Sequence, residues 1–393
     1  MGKSKIIKPY VFISGLALRD NNRGTAALGY GAISFLKDKG LLCERQTIID
    51  VKDRNVLDFA KWVLKFLLGK NKTKVKIDGV EWTYKRIIYP GFEKKIIKHR
   101  LLSKLTFLHR IVNKTGLVAA INGGDGFSDI YGKKIFLNRL PGINFAMEYG
   151  LPLVILPQTI GPFCESECLQ MASNILRYAK HVYVRDECFI SELKEMGVQY
   201  ELTNDLSFYM KPEPWDIEID TKNAVGINVS GLAYDNNFHT LAGQFPYYQE
   251  LMEKLVMLFQ GMGKQVYLIS HSFNYNRPEP FNDDLSAAKE LYAKFTNKQN
   301  VHLVDRDLIS PQVKYLISRM SFFVGTRMHA NFAAIFTKVP LFGLAYSYKF
   351  KGAFENNGIY NRTANVREMK PEDVDIILKA VESAYYEDIN NNF

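Results

Sequence analysis

The stretch Phe322-Phe323-Val324-Gly325-Thr326-Arg327-Met328-His329-Ala330-Asn331-Phe332-Ala333-Ala334 decides the fold class. Its apolar run reads as a buried strand, Gly-Thr as a turn, and the residues from about Arg327 as a helix. Strand, turn and helix at this spacing form the repeating unit of a parallel α/β sheet. Arg327 and His329 are two residues apart, about 200° around a regular helix, so in mid-helix they would diverge. At a helix start they can converge on one ligand, where the first backbone N–H groups favour an anion. A histidine beside that anion can be kept protonated and act as a general acid. The helix dipole works against this, and an adjacent phosphate dianion outweighs it. The plainer alternative is a histidine that only packs.

The same alternation runs outward in both directions. In the first half the pattern predicts strands near 10–14, 117–121, 153–157 and 181–184, and helices near 25–37, 142–149, 167–178 and 187–196. In the second half it predicts strands near 224–229, 265–270, 301–304, 322–324 and 341–344. Helices there are predicted near 247–261, 285–296, 311–318, 330–336 and 371–386. Between the halves lies Lys211-Pro212-Glu213-Pro214-Trp215-Asp216, a Pro-rich polar stretch suited to a linker. The expected architecture is α/β, with two Rossmann-like domains facing a cleft, over 1–210 and 217–393.

Length and composition narrow the class. The chain has 393 residues, 47% hydrophobic and 23% charged, with a net charge of +10. These values exclude a disordered chain, a collagen-like fibre and a small disulfide scaffold. No apolar run reaches the ~20 residues of a membrane-spanning helix. The basic N-terminus lacks the cleavage pattern of a signal peptide, and Ile6 breaks the myristoylation pattern. Four cysteines in a chain of this length suggest a reducing, cytoplasmic setting. Cys164 and Cys168 lack a third ligand at cluster spacing, and no metal is expected.

Charge is uneven. Residues 61–114 hold fifteen basic residues against three acids, a net +12, leaving −2 for the rest of the chain. The basic insert, about 58–114, opens with Phe59, Trp62, Val63, Phe66 and Leu67 at helical spacing. One reading is a core-packed helix followed by a solvated basic loop. The other is a surface that docks on anionic lipid at the inner membrane face, or on a lipid-linked phosphorylated substrate. No nucleic-acid motif accompanies the charge, so no nucleic-acid partner is expected.

Five more strand exits carry polar residues. Asn21-Asn22-Arg23-Gly24-Thr25 fits a helix start that presents N–H groups to an anion or a hydroxyl, or a plain capped turn. Asn122-Gly123-Gly124-Asp125-Gly126-Phe127-Ser128-Asp129 lets backbone approach a ligand, with Asp125 and Asp129 placed for sugar hydroxyls or base work. Gln158-Thr159-Ile160-Gly161-Pro162 is a third exit. Arg185 closes an apolar strand and suits a phosphate or carboxylate, or an ion pair with Asp186 or Glu187. The loop at 345–352 offers hydroxyls and Lys349 for phosphate contact. Asp305-Arg306-Asp307 has the DxD form of metal-dependent sugar-nucleotide transferases, but the Ser310-Pro311 that follows reads as a strand end before a helix cap.

Taken in order, these pieces resemble the polysaccharide pyruvyl transferase family. The resemblance rests on the turn at 21–28, Gly123-Gly124-Asp125-Gly126, Gln158-Thr159-Ile160-Gly161-Pro162, Val184-Arg185-Asp186-Glu187, Asn204-Asp205, Arg327-Met328-His329-Ala330 and the loop at 345–349. It runs from about Asn21 to Gly358. The chain departs from the pattern where Asp125 replaces a third glycine, where Leu206 follows Asp205, and in the basic insert. The resemblance implies a glycosyltransferase-B-like fold. It also implies transfer of pyruvate from phosphoenolpyruvate to two hydroxyls of one sugar, giving a cyclic ketal and phosphate. Carried over by position, Arg327, Arg185 and Lys349 would hold phosphoenolpyruvate, His329 would be the acid, and Asp125 the base or acceptor-orienting carboxylate. Asn22, Thr25, Gly124, Ser128, Asp129 and Gln158 would line the acceptor side, on the first domain. Phosphoenolpyruvate is a donor substrate, and no cofactor is expected. The acceptor would be a glycan, as polysaccharide or as a lipid-linked oligosaccharide precursor. The alternatives are a sugar-nucleotide-dependent glycosyltransferase of the same fold and a non-catalytic sugar- or lipid-binding module.

Overall fold

The computed structural model describes residues 7–68, 72–92, 107–346, 354, 357, 359 and 361–391. The chain divides into two compact units, Met1–Leu18 with Leu28–Met210, and Arg19–Ala27 with Lys211–Phe393. Trp215, Ile217 and Ile219, from the Pro-rich stretch and just beyond it, pack on the core of the second unit.

The first unit is built on a sheet of eight strands among the described residues. They are β1 (Tyr10–Ser14), β2 (Thr47–Lys52), β3 (Thr73–Ile77), β4 (Val80–Ile88), β5 (Thr115–Ala120), β6 (Leu153–Gln158), β7 (His181–Val184) and β8 (Glu201–Leu202). Their spatial order is β3-β4-β2-β1-β5-β6-β7-β8. All neighbours are parallel except β3 with β4. Every residue of β6 is buried, as a strand covered by helices on both faces requires. The direction of winding reverses between β1 and β5.

The second unit holds β9 (Ala224–Asn228), β10 (Gln265–Ile269), β11 (Val301–Leu303), β12 (Phe322–Gly325), β13 (Leu341–Ala345) and β14 (Thr363–Asn365). The order is β11-β10-β9-β12-β13-β14, all parallel. This is the doubly wound Rossmann order, and its reversal lies between β9 and β12. Crevices beyond the strand ends at such reversals are where ligands of these sheets bind.

The described residues of 61–114 hold more regular structure than the expected basic loop. Asp78 and Gly79 both have positive φ, 51° and 79°, and join β3 to β4 as an antiparallel hairpin. Asp-Gly between alternating runs is the standard sequence signal for that turn, and it stands in Ile77-Asp78-Gly79-Val80. Trp82 and Ile87 are buried, which anchors β4 beside β2 despite the surrounding lysines. The helix Val56–Leu67 buries Trp62, whose Nε1–H donates to the Arg86 carbonyl at 2.7 Å. Phe59 and Val63 pack on the same core, while Leu67 lies exposed, off the expected stripe. No helix among the described residues is long and apolar enough to cross a membrane.

Gly31, in the helix Arg23–Asp38, tests how tightly the first unit is packed. A Cβ there would come 1.7 Å from the Leu206 carbonyl oxygen, a backbone atom that cannot rotate away. Alanine gains about 1 kcal/mol of helix propensity over glycine, against about 1–3 kcal/mol for overpacking. So close an approach to a backbone atom belongs at the upper end of that range and outweighs the gain, so Gly31→Ala should lose about 2 kcal/mol in urea unfolding. A variant as stable as the parent would contradict this packing.

Candidate functional site

Polar residues gather at the sheet reversal of each unit. In the second unit the centre is Arg327, one residue past Thr326 at the end of β12. Its backbone N–H donates to Asn228 Oδ1 at 2.8 Å, tying the ends of β12 and β9 together. Arg327 is the N-cap of the helix Met328–Phe336. The residue is buried, 8% exposed, and its guanidinium donates to Asp284 Oδ1 from Nη2 at 2.7 Å and from Nε at 3.1 Å. Nη2 also donates to Asn282 Oδ1 at 2.8 Å. Burial works against its charge, and the Asp284 carboxylate more than offsets that, raising the pKa above the ordinary arginine range.

Asp284 is the hub of this cluster. It is fully buried and also accepts from the backbone N–H groups of Gly231, His271 and Ser272 at 2.9–3.0 Å. The segments that follow β9, β10 and β12 thereby converge on one carboxylate. Nearby, the Tyr248 hydroxyl bonds Thr326 Oγ1 at 2.7 Å and accepts from Ser230 N–H. His271 is buried beside these groups. Burial first, then His329, Arg327 and Arg23, hold its pKa well below the usual histidine value.

His329 opens the same helix and stacks edge-on against Phe332. Its ring faces Gly24, where an added Cβ would meet Nδ1 at 2.6 Å. The turn around Asn22 therefore lies with His329 in the second unit, and not on the first domain as expected for Asn22 and Thr25. Arg23 explains the correction. It donates to the Leu308 carbonyl at 2.7 Å and to Asp307 at 3.2 Å, and lies 4.1 Å over the Phe273 ring. Its N–H donates to the His271 carbonyl. Asn22 caps the following helix, accepting from Gly24 N–H at 2.9 Å and Thr25 N–H at 3.4 Å. Asp307 of the Asp-Arg-Asp motif is thus an ion-pair partner, and Asp305 pairs with Lys289 at 3.1 Å.

In the first unit the Gly-rich turn leaves β5 at the reversal. Gly123 and Gly124 have φ of +77° and +86°, a region that strains any other residue. The turn threads between two guanidiniums. A Cβ at Gly124 would lie 2.9 Å from Arg185 Nη1, and one at Gly126 would lie 1.3 Å from Arg139 Nη1. Arg185, at the exit of β7, donates to Asp205 Oδ2 at 2.6 Å and to Thr159 Oγ1 at 3.0 Å. Its main partner is therefore Asp205, with Asp186 farther off at 3.7 Å. Asp205 also caps the short helix Leu206–Tyr209. Asp125 accepts from the Tyr131 hydroxyl at 2.7 Å. Gln158 Oε1 accepts from Asn122 N–H at 3.0 Å, and Thr159 N–H donates to the Gly124 carbonyl.

Gly124, Asp125, Arg185 and Gln158 are therefore one cluster. Ser128 and Asp129 turn the other way and are buried. Ser128 donates to the Pro162 carbonyl, and Asp129 accepts from Cys164 N–H and Glu165 N–H at the start of the helix Ser166–Tyr178. Burial pushes the Asp129 pKa up, but these bonds outweigh it and lower the net value. Lys349 lies outside the described residues. Arg139 and Asp284 were not singled out by sequence. Arg139 sits at a helix C-cap with no motif around it, and the Asp283-Asp284 pair before a helix reads as an ordinary cap. Among the described residues no group of three or more His, Cys, Asp or Glu could hold a metal ion.

The fold is similar to that of a UDP-GlcNAc 2-epimerase from Methanocaldococcus jannaschii, at 10% identity and a TM-score of 0.54, covering 95% of this chain and 91% of that one. It is also similar to S. aureus MnaA in its UDP co-structure, at 12% identity and a TM-score of 0.51, covering 96% and 90%. At such identities the likeness concerns the fold, two Rossmann-like units of the glycosyltransferase-B-like class. In sequence, residues 22–348 match the family described as polysaccharide pyruvyl transferase.

Two stability measurements test the second-unit cluster. Asp284→Asn leaves a buried guanidinium without its counter-charge, so it should cost about 3–5 kcal/mol. A loss below 1 kcal/mol in denaturant unfolding would contradict the hub. His271 is neutral when folded, whereas the unfolded chain binds a proton near pH 6.5. Stability should therefore fall below about pH 6.5, by about 1.4 kcal/mol per unit for this one group. His271→Gln should remove that part of the slope between pH 6.5 and 5.0, and parallel slopes for parent and variant would refute it.

Proposed function

The chain belongs to the polysaccharide pyruvyl transferase family, and we propose that it moves pyruvate from phosphoenolpyruvate onto two hydroxyls of one sugar, forming a cyclic ketal and releasing phosphate. The observation that carries this reading is Arg327 followed by His329 at the exit of β12. The donor is small and multiply anionic, and a helix start with an arginine at its cap suits it. The guanidinium is already held by Asp284 and Asn282, so little side-chain freedom is lost when a ligand binds. Asp284 answers part of its charge, so backbone matters too. Ala330 N–H and Asn331 N–H make the first intrahelical bonds, to the Arg327 carbonyl. The N–H groups of Met328 and His329 precede them.

In this reading His329 protonates the methylene carbon of the donor, and the adjacent carbon becomes electron-poor. A sugar hydroxyl attacks that carbon, and Asp125 takes its proton. The carbon–oxygen bond to phosphate then breaks, and the second hydroxyl closes the ketal. The new methyl proton comes from His329, the first hydroxyl's proton passes from Asp125 through solvent to restore His329, and the second hydroxyl's proton leaves on the phosphate. Arg185 and Lys349 complete the proposed donor set, with Arg185 also bracing Gly124.

A lipid-linked acceptor is part of the proposal, with docking on anionic membrane through the helix Val56–Leu67. Val56, Leu57, Leu64, Leu67 and Leu68 are 59–74% exposed beside Lys61 and Lys65, where the segment 61–114 of net +12 begins. Exposed leucines interleaved with lysines suit an anionic interface.

Acceptor-dependent phosphate release from phosphoenolpyruvate, measured over a panel of glycans, tests the reaction. His329→Ala should lower turnover about 10²–10⁴-fold, with the fold intact by circular dichroism. Near-normal turnover would remove His329 as the acid. Flotation with anionic vesicles tests the docking. The triple variant Leu57→Ser, Leu64→Ser and Leu68→Ser, exposed throughout, should stay in the dense fraction while the parent floats. Equal behaviour of the two proteins would exclude this helix.

A further inference from the structure

The reversal of the first sheet holds a pocket of about 360 Å³, within the range of small-ligand sites. It is lined by Asp50, Lys52 and Arg54 from the end of β2 and just beyond it, and by Asn122, Gly123 and Arg139 around the Gly-rich turn. Two of its lining residues carry buried oxygens that lack a hydrogen-bond donor among the described residues, Asp50 Oδ1 and Asn122 Oδ1. Asp50 is 1% exposed. Its other oxygen faces Lys52 and Arg86 at 3.5 Å and the Tyr84 hydroxyl at 3.4 Å, all long contacts. Burial raises its pKa in spite of both cations. Buried carboxylate and amide oxygens are normally satisfied, and one left without a donor costs free energy. A ligand bearing hydroxyls would supply the missing donors.

The rest of the lining adds a second requirement. Lys52, Arg54 and Arg139 are three cations at one pocket, against the two carboxylates of Asp50 and Asp53, and Arg54 is exposed. Arg139 is held in place by its Nη1–H donating to the Asn122 carbonyl at 3.0 Å. A neutral sugar needs no such set, whereas a phosphate does.

We propose that this pocket is the acceptor subsite and takes a glycosyl phosphate, with sugar hydroxyls on Asp50 and Asn122 and the phosphate on Lys52, Arg54 and Arg139. The assignment as acceptor rests on the pyruvyl transferase reading; the ligand class rests on the pocket alone. Gly123 lines the pocket and Asp125 follows two residues later on the same turn, so a bound sugar would lie against the element that carries the proposed base.

Calorimetric binding without phosphoenolpyruvate separates the two ideas. The probes are N-acetylglucosamine 1-phosphate, mannose 1-phosphate and galactose 1-phosphate, with the free sugars and inorganic phosphate as controls. At least one glycosyl phosphate should bind tenfold or more tightly than its free sugar and than phosphate. Asp50→Asn should weaken it tenfold or more. Arg54→Glu, at an exposed position that leaves the fold intact, should do the same and leave any free-sugar binding unchanged. His329→Ala, in the other unit, should bind as the parent does. Absence of binding by every glycosyl phosphate at 10 mM, or unchanged affinity in both variants, overturns the pocket assignment even if pyruvyl transfer is observed. Binding as expected without any pyruvyl transfer overturns the reaction and leaves the pocket standing.

Discussion

The buried pair of Arg327 and Asp284 is the constraint on which the second unit depends. A full charge at a sheet reversal is costly to bury, and breaking such a pair is costlier still. Asp284 meets that cost with three backbone N–H groups besides the guanidinium. The arrangement does more than satisfy a charge. It fixes where β12 ends, where the helix Met328–Phe336 begins, and therefore where His329 stands. A site organised in this way is stiff before any ligand arrives, which is what electrostatic catalysis requires.

The first unit repeats the device with different parts. Arg185 and Asp205 are its buried pair, and the Gly-rich turn lies across the arginine. Glycine is required there for two separate reasons. The backbone takes positive φ at Gly123 and Gly124, and Arg139 and Arg185 stand where side chains at Gly126 and Gly124 would be. The turn is thus shaped by protein cations on two sides. A loop whose sequence reads as a cradle for a ligand is first built to admit its neighbours.

The basic insert shows how one segment can serve fold and surface together. Trp62 and Trp82 tie it to the core, and β4 extends the sheet beside β2. Those anchors leave the lysines and the outer leucines of the helix Val56–Leu67 facing solvent. Hydropathy alone assigns leucines inward. Geometry decides otherwise, because one side of a twelve-residue helix is already filled by Phe59, Trp62 and Val63.

The alternation of buried strands and helices was legible by itself, since period and apolar run length are local properties. So were the exits of β5, β6, β7 and β12, because their polar residues follow the apolar runs directly in sequence. The Asp78-Gly79 hairpin was equally legible, although charge on its flanks masked it. Three things needed the tertiary structure. The pairing of Arg327 with Asp284 spans 43 residues, and no local pattern encodes it. The turn at 19–27 packs with the second unit through Arg23 and its partners near 271 and 308, across 285 residues in one bond. The unsatisfied oxygens of Asp50 and Asn122 appear only when β2 and β5 are brought to one end of the sheet. Sequence determines which residues can form strands, turns and caps, because those depend on near neighbours. Which charge answers which, and which oxygen goes without a donor, depends on distant segments, and folding alone decides it.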